Sequence, residues 1–333
     1  MLINIFLKNE NGKFKNVSAS SGVNDKTGWW NSIVAGDFRH TGKTDYIVGN
    51  VGLNTLYQAS DEHPVFVTAK DFDKTGGYVP ILSLYLPDKN GVLKEFPAEG
   101  RDDILERIPS LRKRYNTYSP FAIATMSDIF SGNLMKDAQR LKATMLQSCY
   151  LRNEGNGKFT MIPLPKQAQV SVLNGMLTDD FDGDGNLDVL INGNDFGTGV
   201  GIGRFDALNG LLLKGDGKGD FTPLSILQSG IYIPGNGKAL VKLLSANRNY
   251  LVAASQHKDV LKVFELQRKI KTVKVNADDQ FAIIKYKNGT VEKKEFYYGS
   301  SFLSESANFI EVNEHMASIT ITSGKGQSRS VSF

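Results

Sequence analysis

Short apolar stretches separated by turns rich in Asn, Gly and Asp run along most of the chain, and they predict antiparallel β-hairpins. One pattern occurs three times, at residues 6–14, 150–159 and 213–221, as an apolar strand, a turn containing Asn-Gly or Asp-Gly, and a closing Phe. Asn-Gly and Asp-Gly turns join hairpin strands because their residues tolerate positive φ. The pattern therefore predicts three similar hairpins.

A second hairpin pattern follows each copy of the first. It is clearest at residues 32–49 and 175–193, has a shorter turn at 238–254, and has a poorer copy at 65–82. A unit of a few antiparallel strands cannot bury both of its faces alone, so such units stack radially or in a row. The repeats predict an all-β fold with about four blade-like sheets.

A segment of different character interrupts the repeats at about residues 99–146. Asp103 and Glu106 have the spacing of a helix capping box. Apolar residues at steps of three and four between 130 and 145 predict an amphipathic helix. We therefore expect a helical insertion over the sheets.

The repeats stop at about residue 269. Two hairpins are predicted beyond it, turning at Asn288-Gly289 and at Gly324-Lys-Gly326. The expected organisation is a set of blades over 1–268, which includes the helical insertion, followed by a small all-β domain over 269–333.

Composition narrows the classes of protein and of site. The 333 residues include 33 glycines and one cysteine, so tight turns are expected and both an intramolecular disulfide and a cysteine metal cluster are excluded. The net charge of +4 argues against a nucleic-acid partner, because such proteins concentrate much more positive charge. No apolar run is long enough to predict a transmembrane helix, and the first residues do not have the pattern of a signal peptide.

The strongest candidate for chemistry is an acidic loop between two predicted strands. Asp180, Asp182, Asp184 and Asp188 occupy positions 1, 3, 5 and 9 of the loop, and Asn186 at position 7 can offer its backbone carbonyl. Carboxylates this close repel one another unless a cation lies between them. Hard cations such as Ca²⁺ take six to eight oxygen ligands, whereas Mg²⁺ prefers few protein ligands and retains water. We therefore expect a calcium site.

The acidic loop differs from an EF-hand in two respects. Position 12 of an EF-hand is a bidentate Glu, and Ile191 stands there in this chain. Asp188 also leads directly into an apolar strand rather than a helix. The alternative to a metal site is a plain acidic turn whose aspartates cap neighbouring amides.

A related loop lies at residues 37–45. It keeps Asp37 and Asp45 at positions 1 and 9 but has Arg39 at position 3 and Thr41 at position 5. Because Arg39 can supply positive charge between the two aspartates, we expect this loop to be free of metal or weakly occupied.

The acidic loop, the apolar strand after it and the Asn-x-Gly-x-Gly-x-Phe turns together resemble the FG-GAP/VCBS repeats of integrin-α-like β-propellers. Residues 296–306 resemble the ASPIC/UnbV module that often follows such propellers. With 99–105 and 164–169, the chain looks like the C-terminal part of large VCBS-repeat lipoproteins of Bacteroidetes. The resemblance implies a propeller clamped by Ca²⁺, with Asp180, Asp182, Asp184, the Asn186 carbonyl and Asp188 as ligands.

The resemblance also implies an extracytoplasmic location, at the outer membrane surface or in the periplasm, and an interaction role. About four visible blades are fewer than such propellers usually close with. An unclosed propeller exposes sheet edges, so the chain is expected to be part of a longer propeller, to cover an edge with its insertion, or to pair with another chain.

Two functions remain open from the sequence. The first is a non-catalytic binding or scaffold protein that recognises a glycan or a protein, and the second is a calcium-dependent polysaccharide lyase or hydrolase. No spacing of residues indicates a catalytic pocket, which favours the first. Trp29 and Trp30 either pack inside a blade or form a sugar-stacking surface. The candidate ligand contacts are Trp29, Trp30, Arg101, Arg204 and Asp206.

Overall fold

The computed structural model of the protein describes residues 2–199, 201–299 and 301–333. The fold is mostly β, built from several small antiparallel sheets with a few short helices. The chain divides into two compact units. The first unit contains residues 2–5, 24–29 and 56–146, and the second contains 6–23, 30–55 and 147–333.

The elements are numbered in chain order. The strands are Leu2–Ile3 (β1), Leu7–Glu10 (β2), Lys13–Asn16 (β3), Thr27–Gly28 (β4), Ser32–Gly36 (β5), Asp45–Gly49 (β6), Val65–Lys70 (β7), Val79–Pro87 (β8), Leu93–Pro97 (β9), Gln139–Ala143 (β10), Cys149–Gly155 (β11), Lys158–Pro163 (β12), Leu173–Asp179 (β13), Asp188–Gly193 (β14), Leu211–Gly215 (β15), Phe221–Leu224 (β16), Gly237–Leu244 (β17), Tyr250–Gln256 (β18), Lys262–Glu265 (β19), Lys271–Lys274 (β20), Asp279–Tyr286 (β21), Val291–Glu295 (β22), Phe309–Val312 (β23), Met316–Ser323 (β24) and Ser328–Ser332 (β25).

The helices are short. The α-helices are Arg101–Arg107 (α1), Tyr118–Ala122 (α2), Met126–Ile129 (α3) and Ile226–Ser229 (α4), and 3₁₀ turns lie at Ser18–Ser20, Pro109–Lys113, Gly132–Met135 and Lys166–Gln169. None of the helices in the described ranges has the length and apolar character needed to cross a bilayer.

The first unit is a four-stranded antiparallel sheet, in the order β10-β7-β8-β9, with the helices α1 to α3. Its core joins Phe72 and Ile81 of the sheet region to Ile104 and Leu105 of α1 and to Phe130. These apolar residues of the helical segment explain why it folds against a sheet rather than as a separate body.

Two details of the predicted helical insertion are wrong. α1 begins at Arg101 with Gly100 as its N-cap, so Asp103 lies inside the first turn and does not cap the helix. The predicted amphipathic helix over 130–145 is absent from that segment, because α3 ends at Ile129 and Gln139–Ala143 forms the edge strand β10. Pairing with β7 overrides the helical spacing: Leu141 lies opposite Val67 and is 53% exposed.

The second unit contains three sheets built from the repeats, in the orders β12-β11-β6-β5, β13-β14-β15-β16 and β17-β18-β19. The middle sheet is buried on both faces. Val189 and Ile191 of β14 pack with Ile47 of the first of these sheets, whereas Leu190 packs with Tyr250 of the third. Alternate residues of one strand thus enter two different cores, which explains the continuous apolar run of β14.

The last part of the chain forms a further sheet, in the order β22-β21-β24-β25, and the pair β20-β23. Ala282, Ile284, Ile319 and Ile321 build a core of its own. The predicted turns are confirmed, since Gly289 (φ 89°) joins β21 to β22 and Gly326 (φ 76°) joins β24 to β25. This C-terminal sheet belongs to the same compact unit as the three repeat sheets.

The turns of the hairpins at 32–49, 65–82 and 175–193 share one backbone register. In each, the residue before the first aspartate pairs with the residue at position 9: Gly36 with Asp45, Lys70 with Val79, and Asp179 with Asp188. The first aspartate also accepts a hydrogen bond from a glycine amide five residues later, at Gly42, Gly76 and Gly185. The three loops therefore have the same local backbone arrangement.

Candidate metal centre

The acidic loop brings three carboxylates together. Asp180, Asp182 and Asp188 each place an oxygen within 4.8 Å of the other two. Asp180 follows β13 and Asp188 begins β14, so the paired strands fix both ends of the loop. This set of hard oxygen donors could hold a divalent metal ion.

Backbone amides hold the two end carboxylates in place. Asp180 accepts hydrogen bonds from the amides of Gly183 (2.7 Å) and Gly185 (3.0 Å). Both glycines have φ near 90°, a conformation that other residues rarely adopt. Asp188 accepts the amide of Phe181 at 3.0 Å. The loop therefore folds back on itself, with the carboxylates of Asp180 and Asp188 held by its own backbone amides.

The carboxylate of Asp188 is the most buried of the three. It accepts a further hydrogen bond from the Gly215 amide at 3.0 Å. Burial, with smaller contributions from Asp182 and Asp180, raises the pKa of Asp188 to about 7 against the effect of that hydrogen bond. Burial also raises the pKa of Asp180. Burial thus disfavours the ionised form of both carboxylates, and a bound cation would favour it.

Asp184 is not one of the three clustered carboxylates, and the Asn186 side chain contacts a histidine. Lys214, on the neighbouring strand β15, contacts Asp182 and lies 2.9 Å from Asp184. The Asn186 side-chain oxygen is 3.1 Å from Nε2 of His40. The carboxylates of Asp182 and Asp184 raise the pKa of Lys214. The Lys214 ammonium therefore competes with any cation for Asp182.

The C-terminal sheet and the segment before it also contact the acidic loop. Asn313 donates a hydrogen bond to Asp180 at 2.9 Å, and Arg268 donates to the Asp180 carbonyl at 2.6 Å. Arg268 is also paired with Glu311, whose pKa burial raises to about 7. Side chains far away in the sequence thus contact the loop at Asp180.

The related loop at 37–45 carries its own cation. Arg39 forms a two-pronged ion pair with the buried Asp45, with distances of 3.1 and 3.0 Å. Tyr150 donates to the same carboxylate at 2.6 Å. Asp37 accepts the amides of Thr41 (2.9 Å) and Gly42. The expected role of Arg39 is confirmed for Asp45, whereas Asp37 is held by backbone amides, including that of Lys293 on β22.

One more carboxylate beside the acidic loop is buried and fully paired. Asp179 accepts hydrogen bonds from Lys242 (2.9 Å), Lys294 (3.0 Å) and Tyr250 (3.0 Å). Burial opposes its ionisation, but the two ammonium groups outweigh burial and lower the pKa of Asp179. Because Lys294 comes from β22 and Lys242 from β17, this cluster ties the C-terminal sheet to two repeat sheets.

The five candidate ligand contacts are divided between the two units. Trp29, in the first unit, is half-buried and packs edge to face on Tyr57 with ring centres 5.0 Å apart. Arg101, in the same unit, donates to the carbonyls of Tyr115 (2.8 Å) and Asn116 (3.0 Å). Both side chains therefore have structural roles.

The other three contacts lie in the second unit. Trp30 is half-buried, whereas Arg204 and Asp206 are exposed. Arg204 stacks over the ring of Phe196 at 4.8 Å. None of these interactions by itself forms a ligand pocket.

Sequence reasoning missed most residues around the acidic loop. The position of Lys214 could have been inferred from the sequence. It precedes Gly215 on a strand predicted next to β14, and the pairing of Val189 with Leu213 brings it near the loop. The sequence gives no indication that Asn313, Arg268 and His40 lie near the loop, since only the tertiary fold brings them there.

No protein-family model matches the chain, and no curated protein matches its sequence.

Proposed function

We propose that the protein is a non-catalytic binding or scaffold module of the bacterial surface or periplasm, stabilised by Ca²⁺, that recognises a glycan or a protein partner. In this proposal the repeat sheets are FG-GAP/VCBS-type propeller blades and the C-terminal sheet is an ASPIC/UnbV-like module. The location and the family come from the sequence resemblance alone.

The cluster of Asp180, Asp182 and Asp188 is the observation that carries the proposal. Burial raises the pKa of two of the three carboxylates, and a cation bound between them would favour their ionised form. The stacked sheets with a common loop register support blades built by repetition. Calcium would bind to the carboxylates of the loop and replace the Lys214 ammonium at Asp182.

Thermal unfolding with and without calcium tests the metal. We expect Ca²⁺ to raise Tm and EDTA to reverse the rise, with about 2.7 kcal/mol of stabilisation at a hundredfold excess over Kd. Asp182→Asn removes one ligand from an exposed part of the loop and is expected to abolish most of the response. Asp216→Asn changes an aspartate in a turn of the next hairpin and is expected to preserve it.

An unchanged Tm in calcium, or an equal response in Asp182→Asn and the parent, would contradict the metal assignment.

Incubation with polysaccharides tests the absence of catalysis. Release of reducing ends or of unsaturated uronates would show the lyase or hydrolase function instead.

A further inference from the structure

A depression of about 310 Å³ in the second unit lies away from the acidic loop. Asn31 and Ile33 at the start of β5, Asn174 of β13, and Tyr298 and Phe302 of the C-terminal region are among the residues that line it. Among the described residues that line it, none carries a formal charge. The other sites of this unit, by contrast, are rich in carboxylates and lysines.

The depression exposes unusually large apolar side chains. Tyr298 is 74% exposed, Phe302 59% and Ile33 56%. The hydroxyl of Tyr298 donates a hydrogen bond to the Ala277 carbonyl, so the far end of the ring is anchored while its face is open. An aromatic ring that is both exposed and anchored loses little conformational freedom on binding, which favours stacking with a ligand.

Uncharged polar groups lie beside these rings. The side-chain amide of Asn174 donates hydrogen bonds to the carbonyls of Asn194 and Gly237, each at 2.8 Å. This pairing fixes the orientation of the amide and leaves its oxygen as an acceptor. Asn31 is exposed and adds a second amide. Fixed polar groups around an apolar floor are the usual means by which a pocket orients a small ligand.

We propose that this depression binds a neutral saccharide, so that the partner of the proposed binding function is a neutral glycan. A pyranose ring presents an apolar face of C–H groups that stacks on an aromatic ring, and a rim of hydroxyls that bond to amides. A charged ligand would find no counter-ion among the described lining residues, so nothing in the depression favours a charged ligand over a neutral one. The inference rests on the proposed binding function and specifies its ligand.

Affinity electrophoresis of the full chain tests the proposal. The probes are three neutral polysaccharides, a β-1,3-glucan, an α-1,4-glucan and a galactomannan, and the acidic polygalacturonate. We expect at least one neutral polymer to retard the protein. Tyr298→Ala is expected to weaken that binding at least tenfold. Tyr298→Phe is expected to weaken it less, because the ring remains although its hydroxyl anchor is lost.

Tyr78→Ala is the matched control, since Tyr78 is a tyrosine of similar exposure, 63%, in the first unit. It is expected to bind like the parent. The absence of retardation by all three neutral polymers, retardation by polygalacturonate alone, or unchanged binding by a folded Tyr298→Ala protein would overturn the proposal. Loss of binding in Tyr78→Ala would also overturn it.

The outcome is separable from that of the metal test. Saccharide binding is expected to persist in EDTA and in Asp182→Asn, because the depression contains no residue of the acidic loop. Equally, Tyr298→Ala is expected to keep the calcium-dependent rise in Tm. Calcium stabilisation without saccharide binding would defeat only the saccharide inference, and the reverse result only the metal assignment.

Discussion

The loops at 37–45 and 180–188 share a backbone register but differ in how they neutralise their aspartates. In the first, Arg39 reaches Asp45 from inside the loop, and the Arg39 side chain is only 18% exposed. In the second, position 3 is an aspartate, and the nearest cation is Lys214 on another strand, contacting Asp182 and Asp184. Asp188, the counterpart of Asp45, has only backbone amides as hydrogen-bond partners among the described residues.

The comparison shows how a single position separates two solutions to the same electrostatic problem. Both loops bury an aspartate at position 9, and a buried carboxylate needs a positive partner or it becomes protonated. Arg39 is a built-in partner that needs no metal. The acidic loop has no cationic residue between Asp180 and Asp188, and we propose that a cation from solution takes the place of the guanidinium.

The largest effect is expected from Arg39→Met, which removes the built-in cation. Asp45 then remains buried with its charge unpaired, and breaking such a pair costs about 3–5 kcal/mol. Urea unfolding measures the loss. Arg152→Ala is the control, because Arg152 and Glu154 form an exposed pair, and the expected loss is below about 1 kcal/mol. Similar losses for both variants would contradict the role of Arg39.

The second prediction gives the acidic loop an arginine of its own, as in the loop at 37–45. Asp182→Arg places at position 3 the residue type found at position 3 of the related loop, where a guanidinium can pair with Asp188. We expect the calcium-dependent stabilisation, about 2.7 kcal/mol at a hundredfold excess over Kd, to disappear. Tm in EDTA is expected to rise toward that of the calcium-loaded parent. A calcium response that survives the substitution would show that the two loops are not interchangeable.

The third prediction concerns the competitor. Lys214→Met removes the ammonium from Asp182 and Asp184, so calcium no longer has to displace it. We expect calcium to bind about tenfold more tightly, equivalent to about 1.4 kcal/mol. Calcium titration by calorimetry measures the change, with Lys218→Met, in the next turn, as the control. Weaker binding in Lys214→Met would mean that this lysine supports the site.

The smallest effect is expected for an ion pair outside both loops. Arg329 pairs with Asp279 and holds the pKa of Asp279 below its usual value. A lowered pKa stabilises the fold above the unfolded-state pKa, near 3.9, and that stability is lost as pH falls through the lower folded value. Asp279→Asn should therefore cost up to about 1 kcal/mol at pH 7.

Thermal melts of this variant and the parent from pH 7 to pH 2 measure the dependence. The difference in stability between the two is expected to shrink as the pH falls below 4. A difference that stays constant with pH would mean that the charge of Asp279 is not what stabilises the fold.

Local patterns predicted the local structure well. Asn288-Gly289 marks a hairpin because its turn needs positive φ, and the spacing of Asp180, Asp182 and Asp188 predicted their convergence. Arg39 was placed beside Asp45 by spacing alone. In each case the residues that interact lie within one loop, so sequence separation determines distance.

Tertiary pairing defeated the same reasoning elsewhere. The segment around Leu141 has helical spacing, yet Arg140 stacks on Phe66 at 3.7 Å and the chain there pairs with β7. Asn313 and Arg268 contact Asp180 of the acidic loop, although they are 133 and 88 residues away from it in the sequence. No local pattern contains such contacts.

A crystal structure of the protein grown with calcium, with anomalous diffraction to locate the ion, tests the metal assignment most directly. We expect one ion among Asp180, Asp182 and Asp188, with the Lys214 ammonium moved away from Asp182. We expect no ion at Asp45, where Arg39 remains. Density for the lysine ammonium alone at the acidic loop, or an ion bound at Asp45, would contradict it.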